Sequence, residues 1–201
     1  MSRIAMLSVH SCPLAALGGK ETGGMNVYIR ELSKALAEKG CTVDIFTRSM
    51  NRLVPVVVPF VEGVRIVHLK AGPESPYDKN RVWFHLPEFL DNLEQFRLGE
   101  NISYRLIHSH YWLSGWVGAR LGKRWGVPQL HMFHTVGYFK NRATQSLGGQ
   151  EPEVRLQVEQ QLVAESDHIT VSSLPEKVDM IRAYGAPPEK ISVVPCGVDT
   201  Q

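Results

Sequence analysis

The chain has 201 residues, of which 43% are hydrophobic and 21% charged, and its formal net charge is +2. This composition allows a sizeable core. So small a net charge does not indicate nucleic acid or an anionic membrane as a partner. No apolar run approaches the roughly 20 residues of a membrane span. The three cysteines are far apart and form no CxxC pair, which favours a reducing cytoplasm over a disulfide framework or a zinc site.

Short apolar runs alternate with helical patterns from one end of the chain to the other. The first run, residues 3–9, predicts a strand. A signal peptide would instead begin with a charged segment followed by a long apolar one, and this pattern is absent from the first residues. Residues 25–39 have apolar positions at helical spacing, and Gly40 is a typical helix stop. Further strands are predicted at 42–47, 64–69, 106–110, 128–134, 168–172 and 191–195. Further helices are predicted at 82–98 with an interruption near Pro87, at 113–125, at 153–165 and at 175–184.

Three segments between these elements have the character of loops. Residues 56–58 form a short apolar run between two prolines, which predicts a loop or an edge strand. Residues 71–80 and 144–152 are predicted loops with glycine and proline. The alternation as a whole predicts a doubly wound parallel α/β sheet, in which ligands bind at the carboxyl ends of the strands near the switch point. We also expect the chain to stop at a domain boundary.

A glycine-rich loop, residues 18–24, joins the first strand to the first helix. Glycines allow backbone N–H groups to approach a ligand, and a helix start attracts anions, most often phosphate. The spacing is not the dinucleotide fingerprint, and the second strand ends in Thr47-Arg48 rather than an acidic residue. The P-loop pattern is absent too, because Gly24-Met25 follows Gly23. NAD binding and ATP hydrolysis are disfavoured, and two interpretations remain open: a phosphate-binding loop, or a tight turn for helix–strand packing.

Histidines cluster at the ends of two later strands. His108 and His110 alternate onto one face, but no third ligand has metal-site spacing, which favours a structural role. His134 lies at the carboxyl end of strand 128–134, where catalytic groups of α/β sheets gather, although a lone histidine is more often structural. Several cations on loops or helix starts near that edge would together suit a phosphorylated substrate: Lys79, Arg81, Lys140, Arg142 and Arg155.

In this order, the motifs resemble those of the retaining glycosyltransferases of family 4, with sucrose synthase, sucrose-phosphate synthase and the inositol-phosphate N-acetylglucosaminyltransferases as the nearest branches. The resemblance covers essentially the whole chain. The matching segments are Ser8 to Leu14, Gly23 to Tyr28, Ile107 to Gly115, Phe133-His134-Thr135 with Asn141, and Val193 to Asp199.

This resemblance implies the GT-B fold, in which two Rossmann-like domains face each other across a cleft. Residues 1–201 would be the N-terminal, acceptor-side domain. The protein's own C-terminal domain would carry the E-x7-E segment and bind the nucleotide sugar, so the isolated chain is expected to be inactive. The reaction implied is transfer from an NDP-sugar, by expectation a UDP-sugar, to a small phosphorylated and hydroxylated acceptor, with no metal or other cofactor.

The resemblance also assigns roles to individual residues. Gly23 and Gly24 would approach the donor diphosphate through their backbone N–H groups, and Asn26 would lie beside the acceptor. His134 would contact the transferred sugar as the catalytic residue. The acceptor phosphate would be held by Lys79, Tyr111, Thr135 and Arg155.

Two rival functions belong to other classes. A stand-alone module would recognise a sugar phosphate without catalysis, and a second α/β half carrying E-x7-E would argue against it. A nucleotide-sugar epimerase or dehydrogenase would need the dinucleotide glycines that are missing. Acceptor specificity is expected to lie in the loops 71–81 and 137–152.

Overall fold

The computed structural model describes residues 2–15, 23–144 and 149–197. Two parts of the segments highlighted above lie outside this range: residues 18–22 of the glycine-rich loop, and Val198-Asp199. The predicted loop 144–152 is described only at residue 144 and from residue 149 onwards.

A single eight-stranded sheet forms the centre of the domain, with the strand order β3-β4-β2-β1-β5-β6-β7-β8. All neighbouring strands are parallel except β3, which pairs antiparallel with β4 at the edge of the sheet. The predicted parallel sheet is therefore wrong at β3. The prolines of this segment lack the N–H groups needed to pair with neighbours on both sides, so it can form an edge strand only. The strands are β1 Arg3–Leu7, β2 Thr42–Arg48, β3 Val57–Val61, β4 Val64–Leu69, β5 Leu106–His110, β6 Gln129–Met132, β7 His168–Val171 and β8 Ile191–Val193.

In the described ranges six α-helices connect the strands, and a 3₁₀ helix, Arg81–His85, precedes the second. The break before Pro87 confirms the predicted interruption. The segment 137–152 was predicted as a loop without a helix, which is wrong at its start, because residues there form α4. The helices are α1 Gly24–Glu38, α2 Leu86–Gly99, α3 Tyr111–Trp125, α4 Gly137–Ala143, α5 Glu153–Glu165 and α6 Leu174–Tyr184.

The strand order places a switch point between β1 and β5. From β1 the chain moves outward through β2 to β4, and from β5 it moves the opposite way to β8. The loops that leave the carboxyl ends of β1 and β5 therefore diverge to opposite sides and leave a crevice between them.

Alternate residues of the strands feed two apolar clusters, one on each face of the sheet. On one face, Ile29 of α1 packs in a cluster with Met6 and Ile45. On the other, Leu7 and Phe46 belong to the larger cluster, which also holds buried residues of α2, α3, α5 and α6. The sheet is thus covered by helices on both faces, as the alternation predicts.

Glycines allow α3 to lie unusually close to the sheet. A Cβ at Gly118 would stand 2.6 Å from the Gln129 Nε2 and 3.2 Å from the Ile107 Cγ2. The Gln129 amide is buried and donates hydrogen bonds to Ser109 Oγ and Gly115 O, so it has little freedom to retreat.

Gly118→Ala is therefore expected to lower the free energy of unfolding by about 1–3 kcal/mol, through overpacking against this amide. Gly99→Ala is the matched control, because a Cβ at Gly99 meets no atom within 4 Å. Urea unfolding of both variants checks the prediction, and equal stabilities would contradict it.

Candidate functional site

A cleft of about 520 Å³ opens at the carboxyl ends of β1, β5 and β6, beside the switch point. The first turn of α1 forms one wall, and the residues that follow β5 and β6 form another. Its lining residues are His10, Gly23, Gly24, Met25, Tyr28, Lys79, Tyr111, Met132, His134, Thr135, Lys140, Ser172, Glu176 and Cys196. The position agrees with the general rule for open α/β sheets.

Two residues at the cleft have left-handed backbone conformations, which side chains with a Cβ rarely adopt. Tyr111 directly follows β5 with φ 73°, and His134 follows β6 with φ 59°. Strand 128–134 was predicted to run through His134, which is wrong: β6 ends at Met132, and the turn at His134 changes the direction of its side chain. Such conformations cost roughly 1–3 kcal/mol and concentrate at functional sites.

His134, a half-buried residue of the cleft lining, forms a pair with the fully buried His110. The His110 Nδ1 and the His134 Nε2 are 2.9 Å apart. Burial lowers the pKa of His134 to about 4 and lowers the pKa of His110 well below its usual value. Both rings are therefore neutral at pH 7, so one nitrogen of the pair donates a proton and the other accepts it.

The surroundings of His110 assign the proton. Its Nε2 is buried without a hydrogen-bond partner among the described residues. An unmatched donor is rarer than an unmatched acceptor in protein interiors, so the proton of His110 lies on Nδ1 and is donated to His134. His134 then carries its own proton on Nδ1, as a donor at the cleft. The ring of Tyr28 packs edge-on against both imidazoles, at 5.8 and 5.4 Å.

The start of α1 supplies a second polar feature of the cleft. Gly23 is the N-cap and has no side chain to satisfy the first N–H groups, and the first turn contains no acidic residue. These N–H groups and the positive end of the helix dipole are available to an anion. A Cβ at Gly23 or Gly24 would meet no atom of the described residues within 4 Å. The described part of the loop is therefore not required for close helix–strand packing.

Asn26 lies beneath the cleft rather than in its lining. Its side chain is 1% exposed, and its Nδ2 donates a hydrogen bond to the backbone oxygen of Cys12 at 3.1 Å. Here it ties α1 to the segment that follows β1.

Arg155 lies behind the cleft wall and is fully buried. Its Nε donates to Glu159 at 2.7 Å, and its Nη1 donates to the Tyr111 hydroxyl at 3.0 Å and pairs with Glu151 at 2.9 Å. Its Nη2 donates to the backbone oxygen and the hydroxyl of Thr135, at 2.8 and 3.1 Å. The guanidinium thus joins the residues after β5 and β6 to α5.

Among the described residues, no group of three or more histidine, cysteine, aspartate or glutamate side chains is placed to hold a metal ion. No helix in the described ranges is long and apolar enough to cross a membrane.

Comparison with known proteins now identifies the family. The sequence profile described as Glycosyltransferase Family 4 matches residues 22–201. The chain belongs to glycosyltransferase family 4.

Relatives of this family 4 domain match it over almost its whole length. The D-inositol 3-phosphate glycosyltransferase of Xylanimonas cellulosilytica is 42% identical over 198 residues, which cover 98% of this chain and 48% of that protein. That of Thermomonospora curvata is 40% identical over 200 residues, which cover 99% of this chain and 46% of the relative. Sucrose-phosphate synthase from Thermosynechococcus elongatus superposes with a TM-score of 0.91 at 34% identity, covering 99% of this chain and 49% of that one.

The predicted family and its Rossmann-like GT-B fold are confirmed. The chain spans about half the length of the relatives it matches.

The structure brings most of the predicted site residues of the family 4 domain into one cleft. Six line it: Gly23, Gly24, Lys79, Tyr111, His134 and Thr135. Arg155 contacts Tyr111 and Thr135 from behind the cleft, and the side chain of Asn26 bonds to the backbone of Cys12, outside the lining. Their roles toward substrates stay predictions.

Sequence reasoning missed several residues of the cleft. His10 lies three residues after the end of β1, and its ring packs in a tilted arrangement against that of Tyr111, with the ring centroids 4.5 Å apart. The rule that selected His134, a polar residue at a strand's carboxyl end, selects His10 equally well. Tyr28 was assigned to the apolar face of the first helix by its spacing, but it lines the cleft one turn after Gly24. No sequence signal pointed to Glu176 or Cys196.

Proposed function

We propose that this domain binds the acceptor in a retaining, metal-independent transfer of a sugar from an NDP-sugar, by expectation a UDP-sugar, to a small phosphorylated compound with a free hydroxyl. The observation that carries the proposal is that a glycine-capped helix start, a neutral histidine and two lysines meet in one cleft. The names of the relatives, which refer to inositol 3-phosphate and to sucrose phosphate, support a phosphorylated acceptor.

The helix start suits the leaving group of such a reaction. When a nucleoside diphosphate departs, negative charge develops on its phosphate oxygens, and oriented N–H groups stabilise that charge without reorganisation. The N-terminus of α1 presents such groups beside Gly23 and Gly24, and no side chain in the described part of the chain caps them. In this proposal it forms one side of the diphosphate site, and a second domain of the same protein forms the other. The isolated chain would then be inactive.

His134 suits a contact with the transferred sugar. Its pKa of about 4 keeps the ring neutral at pH 7, so its Nδ1–H is a hydrogen-bond donor to a sugar hydroxyl without an added charge. The left-handed turn at His134 and the bond to His110 hold the ring in one orientation. Positioning of this kind lowers the barrier without a general base on the protein.

Lys79 and Lys140 suit the acceptor phosphate. Both lysines line the cleft, together with Tyr111 and Thr135. Lysine binds phosphate as a point charge, and the hydroxyls of tyrosine and threonine add directed hydrogen bonds. The three cysteines are free thiols, in keeping with a protein of the cytoplasm, where we propose that it acts.

The test is transfer by the complete protein. UDP-glucose and UDP-N-acetylglucosamine are each paired with D-inositol 3-phosphate and fructose 6-phosphate, and the anomeric configuration of the product is read by NMR. Transfer to one phosphorylated acceptor with retention supports the proposal, and activity should survive a chelator. Binding of a sugar phosphate with no transfer from any donor would instead favour a binding module.

Gly24→Val separates the two interpretations of the glycine loop. Gly24 has open space around its Cβ position and no positive φ, so the substitution is expected to leave the melting temperature nearly unchanged. A side chain there would hold the diphosphate away from the N–H groups, and we expect about a 100-fold lower kcat/KM. Normal turnover in a folded variant would contradict the diphosphate role.

A further inference from the structure

One carboxylate, that of Glu151, stands among the cations of the proposed phosphate site. Its Oε1 is 2.5 Å from the Lys140 Nζ, and its Oε2 is 2.9 Å from the Arg155 Nη1. The side chain is only 8% exposed, although it lies outside any helix, before the start of α5. Glu151 thus bridges two cations from different elements.

The backbone of Glu151 is held in place independently of its side chain. Its N–H donates to the Asn141 Oδ1 at 2.6 Å, and the Asn141 Nδ2 donates back to the Glu151 oxygen at 3.4 Å. Asn141 belongs to α4, next to Lys140. The carboxylate is therefore able to leave the cations by side-chain rotation alone, because these backbone bonds do not involve it.

Glu151 occupies the cationic groups that a phosphate would need. Each guanidinium nitrogen of Arg155 has a partner, and the side chain is 0% exposed. A ligand at the cleft gains contact with the Arg155 Nη1 only where the carboxylate of Glu151 gives way. The Lys140 side chain is 44% exposed and lines the cleft, so an anion that enters the cleft would reach Lys140 before the buried Arg155.

The charges indicate which ligands have the advantage there. Two carboxylates, those of Glu151 and Glu159, flank the single charge of Arg155, and Lys140 completes a balanced set. A phosphate monoester carries about −1.5 to −2 charge at pH 7 and has three acceptor oxygens, so it competes with a carboxylate for the same cations. A neutral hydroxyl compound does not.

We propose that Glu151 is a specificity-determining residue, an inference that rests on the proposed function. Its carboxylate pairs with Lys140 and Arg155 in place of the acceptor phosphate, and only that phosphate displaces it. The affinity for the acceptor then includes the loss of two ion pairs. The pKa of Glu151 agrees with this role: burial would raise it, but the neighbouring Lys140 and Arg155 lower it overall, so the group is charged at pH 7.

The test compares Glu151→Gln with Glu153→Gln. Both remove one negative charge, but Glu153 is exposed in the first turn of α5 and accepts a hydrogen bond from Gln157 instead. The complete protein is titrated calorimetrically with D-inositol 3-phosphate and with inositol as the neutral probe. We expect Glu151→Gln to bind the phosphate about tenfold more tightly than wild type and inositol equally, whereas Glu153→Gln stays within twofold for both.

The outcomes distinguish this inference from the proposed function. Preference for the phosphate over inositol in wild type, with unchanged or weaker phosphate binding in Glu151→Gln, would overturn the competing role of Glu151 alone. Weaker binding of both probes would mark Glu151 as structural and overturn it too. Absence of any phosphate preference in wild type and in Glu151→Gln would overturn the phosphorylated acceptor and the inference together.

Discussion

Lowering the pH from 6.5 to 5 is expected to remove about 5 kcal/mol or more from the free energy of unfolding of this domain, a large share of the 5–15 kcal/mol typical of a folded protein. Three histidines that are at most 4% exposed account for this amount: His108, His110 and His131. His10 and His134 add to it, because burial lowers their pKa values to about 3 and about 4. Burial lowers the pKa values of His108 and His131 to about 3 and that of His110 well below its usual value.

The direction follows from proton linkage. Below pH 6.5 an unfolded chain protonates these imidazoles, whereas burial keeps them neutral in the folded state to a considerably lower pH. The unfolded state then binds more protons, so stability is complete above pH 6.5 and is lost as the pH falls, by about 1.4 kcal/mol per unit for each histidine. Urea unfolding at pH 7.5, 6.5, 5.8 and 5.2 gives the slope.

His108→Gln is the internal check on this assignment. The His108 Nε2 is buried without a hydrogen-bond partner among the described residues, so a neutral amide loses little there. The slope below pH 6 should fall by about one fifth, because burial lowers the pKa of five histidines in all, whatever the variant's stability at pH 7.5. A wild-type slope near zero between pH 6.5 and 5.2 would show that the imidazoles accept protons in the folded state.

The largely parallel sheet and the position of the cleft could be predicted from local patterns. Runs such as 42–47 and 106–110 are short, apolar and separated by helical segments, and this arrangement leaves few topologies open. Once the sheet is parallel, polar residues that follow its strands converge on one edge. This is why the sequence alone predicts that His134, Thr135 and Tyr111 lie near one another.

The conformations at that edge could not be predicted, because they depend on tertiary packing. Nothing in the sequence around Tyr111 or His134 favours a positive φ; these turns are imposed by the helix and strands packed around them. α4 was missed for a similar reason. It has only 7 residues, too few for a periodic pattern, and the Gly137 N–H at its start is held by the buried carboxylate of Glu159 from α5.

The burial of Arg155 is the clearest example of a feature that depends on tertiary packing and that was not predicted from the sequence. Its residue type and its place near a helix start suggested an accessible guanidinium that binds a phosphate. In the structure the Arg155 Nε instead pairs with the carboxylate of Glu159, one helical turn further along α5. An arginine flanked by two carboxylates four residues away on either side, Glu151 and Glu159, is a pattern that could have indicated a buried ion network.

Arg155→Ala is expected to destabilise the domain by about 3–5 kcal/mol, because it leaves the buried carboxylate of Glu159 without its cation. Glu159 is 0% exposed, and its remaining partners are the Gly137 N–H and the Tyr184 hydroxyl, which donate at 2.9 and 2.6 Å. Two neutral donors do not replace a guanidinium that pairs with the carboxylate at 2.7 Å. Urea unfolding at pH 7.5 measures the loss.

A double-mutant cycle with Glu159→Gln separates this loss from any effect on substrate. Once Glu159 is neutral, removing Arg155 no longer strands a charge, so the double variant should be at least 1.5 kcal/mol more stable than the sum of the single losses predicts. Kinetic effects of Arg155 are then interpretable only in the double variant, where a raised KM for a phosphorylated acceptor would report on the phosphate contact itself. Full stability of Arg155→Ala would instead mean that the guanidinium serves the ligand and contributes nothing to the fold.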